Sequence, residues 1–103
     1  MAPLLAELLA CCQRVLRGEA EQLGQLQVAG FVCAPGSWQF ELPALHGYLC
    51  RQLPPGTGAD YRAFLRQLYA SDLNSRLAAL GAQMVVLDNR GKVSRSRYAL
   101  QPL

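Results

Sequence analysis

The sequence lacks the features that mark several large classes of protein. It has no apolar run near the ~20 residues that a membrane-spanning helix needs, and it contains no repeat or low-complexity segment. Only 17% of its 103 residues are charged, whereas 51% are apolar, which argues against a disordered chain. We therefore expect one globular domain, residues 1–103, built around a single core.

Signatures of catalysis and metal binding are also missing. No G-x-S-x-G, phosphate-binding glycine-rich loop or pair of carboxylates spaced for acid–base work occurs. Cys11, Cys12, Cys33 and Cys50 lack C-x-x-C or zinc spacing, so we expect reduced, mostly buried structural thiols. The alternative is an enzyme in which Cys33 or Cys50 is a nucleophile beside His46. The sequence favours a non-enzymatic protein without cofactor or metal.

The amino terminus does not have the pattern of a secretion signal. A signal peptide begins with a basic segment and continues into an uninterrupted apolar stretch. Here no Lys or Arg precedes the apolar residues, and Glu7 interrupts them, although Cys11 follows at the spacing of a bacterial lipoprotein site. We therefore expect a cytoplasmic protein, or a nuclear one in a eukaryote, that does not bind membranes.

Residues 3–17 have the apolar spacing of an amphipathic helix with a wide stripe. Pro3 suits the first helical turn and Gly18 suits the left-handed position after the last one. Such a stripe packs either against the rest of the domain or against a second copy, and the second case predicts a homodimer through this helix. Residues 19–25 are compatible with a helix extension or a loop.

A β-hairpin is predicted between residues 26 and 40. The segment 26–33 has strand-favouring residues, 34–37 is a turn and 38–40 is the return strand. Trp38 is either an exposed contact residue or, as is more common in a small chain, part of the core. Tyr98, near the other end of the chain, either stacks on a base or packs on the helices, and packing is favoured.

The second half of the chain predicts three helices and a second hairpin. Asp60 is a good N-cap for the middle helix, and Gly81 suits the end of the last one, whose buried stripe would be Leu73, Leu77 and Leu80. The predicted elements are helices at 42–53, 61–70 and 72–80, strands at 82–88 and 92–100, and a turn at 89–91.

Three helices followed by a two-stranded hairpin resemble the winged-helix family in their order. The resemblance covers residues 42–100, with 72–80 as the recognition-type helix and 89–92 as the tip of the wing, and it rests on element order and charge placement. It implies an α+β fold: a winged-helix core at 42–103 with an N-terminal helix and hairpin extension at 1–41.

The charge distribution suggests where a polyanion would bind. Residues 1–50 have a net charge of −2, and residues 51–103 have +5. The resemblance implies that the exposed face of the recognition-type helix and the wing form a nucleic-acid site, most simply for duplex DNA, as in a transcription regulator. Arg95 and Arg97, two apart on a predicted strand, would share a face. The predicted site consists of Asn74, Ser75, Arg76, Arg90, Lys92, Arg95 and Arg97.

Two other interpretations of the same surface stay open. The hairpin arginines suit a purely solubilising role, because charged side chains keep an edge strand from aggregating. The recognition-type helix is short and has one arginine, which suits a winged-helix subunit that docks another protein without reading DNA.

Overall fold

The structure, a computed structural model, describes residues 2–56, 58–89, 91–92 and 95–103. Within these ranges it contains five helices and one four-stranded antiparallel sheet, which confirms the predicted α+β class. In chain order the elements are α1 Pro3–Leu16, α2 Ala20–Val28, β1 Val32–Ala34, β2 Ser37–Glu41, α3 Leu42–Gln52, α4 Tyr61–Ala70, α5 Leu73–Ala79, β3 Ala82–Asp88 and β4 Arg97–Pro102. No helix in the described ranges is long and apolar enough to cross a bilayer.

Helix α1 lies in the middle of the core. Its apolar stripe is buried against α2, α3, α4, α5 and β2, so the stripe packs within the domain. A homodimer through α1 stays a prediction, and it would have to use the outer face of this helix. The buried residues of α1 are Leu4, Leu5, Leu8, Cys11, Cys12 and Val15.

The prediction of a strand over 26–33 is wrong in its first half. Helix α2 continues to Val28, and Gly30, with a φ of 97°, ends the helical path before β1 begins at Val32. The helix wins because it places Leu23 and Leu26 in the core and leaves Val28 in solvent. Strand propensity at these positions is overridden by burial.

The sheet has the order β1-β2-β4-β3. One face packs on the helices, where Trp38 of β2 lies opposite Leu100 of β4. Farther along the same face, Phe40 lies opposite Tyr98, and their rings stack with centroids 6.4 Å apart. Trp38 is fully buried, which confirms its predicted place in the core.

A short turn joins α4 to α5. Asp60 caps α4 as predicted, since its Oδ1 accepts a hydrogen bond from the Ala63 N–H at 2.7 Å. Ser71 Oγ accepts from the Leu73 N–H at 3.3 Å at the start of α5. The predicted burial of Leu80 is wrong: the helix ends at Ala79, so the Leu80 side chain leaves the stripe and is 44% exposed.

A half-buried polar network ties α1, α2 and α3 together. Arg14 Nε donates to Gln22 Oε1 at 2.6 Å, and Arg14 Nη2 donates to Glu7 Oε1 at 3.2 Å. The Gln22 side-chain N–H donates in turn to the Tyr48 hydroxyl at 3.2 Å. Gln22 is almost fully buried, so these contacts satisfy an amide that would otherwise destabilise the fold.

Candidate nucleic-acid interface

The hairpin is shorter on its second side than the sequence predicts. Strand β4 begins at Arg97, and Arg95 lies in a helical turn before it. This turn closes because the backbone N–H groups of Arg95 and Ser96 donate to the Lys92 carbonyl at 3.1 and 3.0 Å, and Ser96 Oγ donates to it at 2.8 Å. The prediction that Arg95 and Arg97 share a face through strand alternation is therefore wrong. Arg90 lies outside the described residues.

Arg95 and Arg97 nevertheless line one polar cleft, together with Glu41 and Asp88. Arg97 lies between these two acids in the sheet register, opposite Glu41 of β2 and Asp88 of β3. Its Nη2 is 3.8 Å from Glu41 Oε1. Arg97 therefore pairs with one acid of its own sheet and has a second one opposite it, whereas Arg95 forms no ion pair with any described residue.

The three residues of α5 in the predicted site, Asn74, Ser75 and Arg76, are exposed. Ala78 and Ala79 on the same helix are exposed as well. Asn74 is partly engaged, because its Oδ1 accepts from the Met84 N–H of β3 at 3.3 Å, while its amide N–H groups donate to none of the described residues. Arg76 Nε lies 2.9 Å from Asp72 Oδ1, and this hydrogen bond lowers the pKa of Asp72. Both members of that pair are exposed, so Arg76 can exchange Asp72 for another anion at little cost.

Two arginines of α4, which the sequence prediction does not include in the site, are candidates for it as well. Arg62 and Arg66 are exposed, lie four residues apart, and share a stripe with Tyr69. Neither forms an ion pair within the described part of the chain. The sequence contains the information needed to predict them. In a helix over 61–70, positions 62 and 66 lie away from the apolar stripe, and in a helix-turn-helix protein the first helix crosses the phosphate backbone.

Four cations of α4 and of the segment between β3 and β4 are exposed and form no ion pair with the described residues. We call Arg62, Arg66, Lys92 and Arg95 the cation set. Tyr69, on the stripe of the two α4 arginines, lines a groove with Val86 and Tyr98 near the base of the hairpin. The α4 stripe and the hairpin therefore border the same surface.

The structure brings Cys50 to His46, the pair proposed as an alternative catalytic site. Cys50 Sγ is 3.3 Å from His46 Nε2, but Nε2 is also 2.7 Å from the Ala59 carbonyl oxygen. Since a carbonyl oxygen only accepts, Nε2 carries the proton and cannot take one from Cys50 in this arrangement. Cys33 instead donates to the Leu23 carbonyl at 3.4 Å.

The remaining cysteines are poor nucleophiles. Burial, reinforced at Cys11 by the nearby Glu7 carboxylate, raises the pKa of Cys11 to about 12, and burial raises the pKa of Cys12 to about 12. Over the described ranges, no group of three or more His, Cys, Asp or Glu side chains is placed to hold a metal ion. No protein-family profile, curated protein sequence or solved structure matches the chain.

Proposed function

We propose that the chain is a winged-helix domain that binds nucleic acid, most simply duplex DNA, through the phosphate backbone. The observation that carries the proposal is the cation set: four exposed positive groups that form no ion pair in the described ranges, on elements that precede and follow α5 in the chain. Residues 60–103 contain seven cationic and three acidic side chains, so the surrounding field is also positive. Phosphate contacts of this kind supply most of non-specific affinity.

The order of the elements supports the assignment of roles. α4 precedes a short turn, α5 follows it, and β3 and β4 form the hairpin, while β2 pairs with β4 and completes the sheet beside the helices. In such a domain, α4 contributes phosphate contacts, α5 faces the groove and the hairpin contacts the backbone.

The helix α5 adds modest selectivity at most. It has seven residues, a length of about 10 Å, and its exposed polar face offers Asn74, Ser75 and Arg76. Asn74 contributes only its N–H donors, since its oxygen is bonded to β3. Affinity therefore depends on the cation set, and sequence preference is weak unless a dimer places two copies on one duplex.

The proposal can be tested by comparing Arg97, which pairs with Glu41, with Arg95, which forms no ion pair with the described residues. We would measure the anisotropy of a fluorescent duplex with the wild-type chain, Arg95→Ala, and the double variant Glu41→Ala/Arg97→Ala. The double variant removes one cation and one anion together, so the net charge of the surface is unchanged. Loss of one phosphate contact weakens binding about eightfold at ~0.1 M salt. We expect that loss for Arg95→Ala and unchanged affinity for the double variant.

A second control addresses net charge alone. Arg17→Ala removes one cation just after α1, where Arg17 pairs with Glu19 at 3.2 Å, outside the cation set. We expect Arg62→Ala to weaken binding as Arg95→Ala does, and Arg17→Ala to have little effect. If no duplex binds at ~50 mM salt, or if Arg17→Ala and Arg62→Ala are equivalent, the proposal fails.

A further inference from the structure

The segment between β3 and β4 carries two members of the cation set, Lys92 and Arg95, and both are exposed. Ser96, which lies between Arg95 and the first residue of β4, is only 3% exposed. Of the described residues from Val86 to Arg97, Ser96 is the one that is buried. The side chain of Ser96 therefore anchors an otherwise exposed segment to the domain.

The Ser96 hydroxyl also closes the turn that carries the two cations. Its Oγ donates to the Lys92 carbonyl at 2.8 Å, which is the shortest of the three hydrogen bonds to that oxygen. The other two come from the backbone N–H groups of Arg95 and Ser96, at 3.1 and 3.0 Å. One buried side chain is thus bonded to the backbone of Lys92 and directly follows Arg95 in the chain.

The backbone hydrogen bonds by themselves make a weak turn. A single helical turn is unfavourable in water, because it fixes the dihedral angles of several residues for very few hydrogen bonds. Both backbone donors of this turn share one carbonyl oxygen. The donor of the third bond belongs to a buried side chain, where a hydrogen bond is stronger than in water. We therefore expect the hydroxyl of Ser96 to determine whether the turn stays closed.

The neighbouring Arg97 does not depend on this turn. Its backbone lies in β4, opposite Glu41 of β2 and Asp88 of β3. Arg95 precedes the strand, although it lines the same cleft as Arg97. Loss of the Ser96 hydroxyl should therefore affect Arg95 and leave Arg97 in place.

We infer that Ser96 is a positioning residue of the interface, whose hydroxyl holds the backbone of Lys92 and Arg95 in one arrangement for contact with phosphates. The inference rests on the proposed function, because it assigns a role within duplex binding. Ser96 itself does not touch the nucleic acid, since it is buried. Ordering the two cations before binding reduces the entropy that is lost when they are immobilised on the duplex.

The anisotropy of a fluorescent duplex with Ser96→Ala tests this role. We expect Ser96→Ala to bind about eightfold more weakly than the wild type at ~0.1 M salt, which is the loss of one phosphate contact. The slope of the logarithm of the association constant against the logarithm of salt concentration should become shallower by about 0.9. In the Lys92→Ala/Arg95→Ala background, the same substitution should have no further effect. A merely structural role would instead lower the folded fraction in both backgrounds and leave the slope unchanged.

Two further variants are the controls. Ser71→Ala removes a bond of the same kind, from Ser71 Oγ to the Leu68 carbonyl at 2.7 Å, in the α4–α5 turn, which carries no member of the cation set. Ser96→Thr keeps the hydroxyl. We expect both controls to bind duplex as the wild type does, and urea unfolding curves show whether each variant is folded.

The inference fails if Ser96→Ala binds as the wild type does, or if its effect persists in the Lys92→Ala/Arg95→Ala background. It also fails if Ser71→Ala or Ser96→Thr weakens binding as much as Ser96→Ala. These outcomes leave the nucleic-acid proposal intact as long as Arg62→Ala and Arg95→Ala weaken binding. If the wild type binds no duplex at ~50 mM salt, the proposed function fails, and the role of Ser96 fails with it.

Discussion

The buried thiols of Cys11 and Cys12 make the stability of the domain depend on alkaline pH. Burial raises the pKa of each to about 12, against an ordinary value of 9.0 in the unfolded chain. A group whose pKa is raised by folding contributes its full stability below the unfolded pKa and loses it as pH rises toward the folded pKa. The window for these two thiols therefore runs from about pH 9 to about pH 12.

The size of the effect follows from the unfolded pKa. At pH 9.5 both thiols of the folded chain remain protonated, while most of those in the unfolded chain have ionised. Between pH 8.0 and pH 9.5 each thiol lowers the free energy of unfolding by about 1 kcal/mol, and the two together by about 2 kcal/mol. The variant Cys11→Ala/Cys12→Ala lacks this contribution, although the small cavities destabilise it at both pH values.

The assay is urea denaturation at pH 8.0 and pH 9.5 under reducing conditions, followed by the fluorescence of the buried Trp38. The quantity compared is the change in unfolding free energy between the two pH values. The contributions of titrating groups that the wild type and the double variant share therefore cancel. We expect the wild type to lose about 2 kcal/mol more than the double variant, and Cys12→Ala to fall halfway. Equal losses in the wild type and the double variant would refute the reasoning.

Three further predictions concern the stability of the fold. Asp60→Ala removes the cap of α4 and should lower the unfolding free energy in urea by about 1 kcal/mol, whereas Asp60→Asn keeps the cap and should not lower it. Equal losses in the two variants would show that the hydrogen bond from the Ala63 N–H to Asp60 does not stabilise the helix. Tyr48→Phe leaves the buried Gln22 amide without its acceptor and should cost about 1–3 kcal/mol in the same assay, and an unchanged midpoint would exclude this bond. Leu26→Ala should cost about 2–5 kcal/mol and Val28→Ala less than about 0.5 kcal/mol, as the helix α2 requires; the reverse order would favour a strand.

The helices of the second half were predictable because their signals are local. Asp60 and Gly81 mark a helix start and a helix end, and the apolar spacing between such marks sets the buried face. The segment 26–33 shows the opposite case. Its valines and phenylalanine favour a strand, but Leu26 is needed in a core to which distant elements contribute. That requirement cannot be read from a local window.

The exposure of the candidate interface was predictable in α5, but the pairing and local structure of its hairpin residues were not. Exposure of Asn74, Ser75 and Arg76 followed from the helical pattern, and Arg62 was accessible to the same reasoning. The pairing of Arg97 with Glu41 was not, because these residues are distant in the sequence and meet only when β2 pairs with β4. The turn that holds Arg95 depends on three hydrogen bonds to one carbonyl oxygen, for which no sequence signal was apparent.

The salt dependence of duplex binding tests the central claim most directly. Four phosphate contacts from the cation set predict that the logarithm of the association constant falls with the logarithm of salt concentration with a slope of about −3.6. Removing two of them in Arg62→Ala/Arg66→Ala should reduce the slope to about −1.8, while Glu41→Ala/Arg97→Ala should leave it unchanged. A wild-type slope near zero, or the same slope in the wild type and Arg62→Ala/Arg66→Ala, would contradict binding through the cation set.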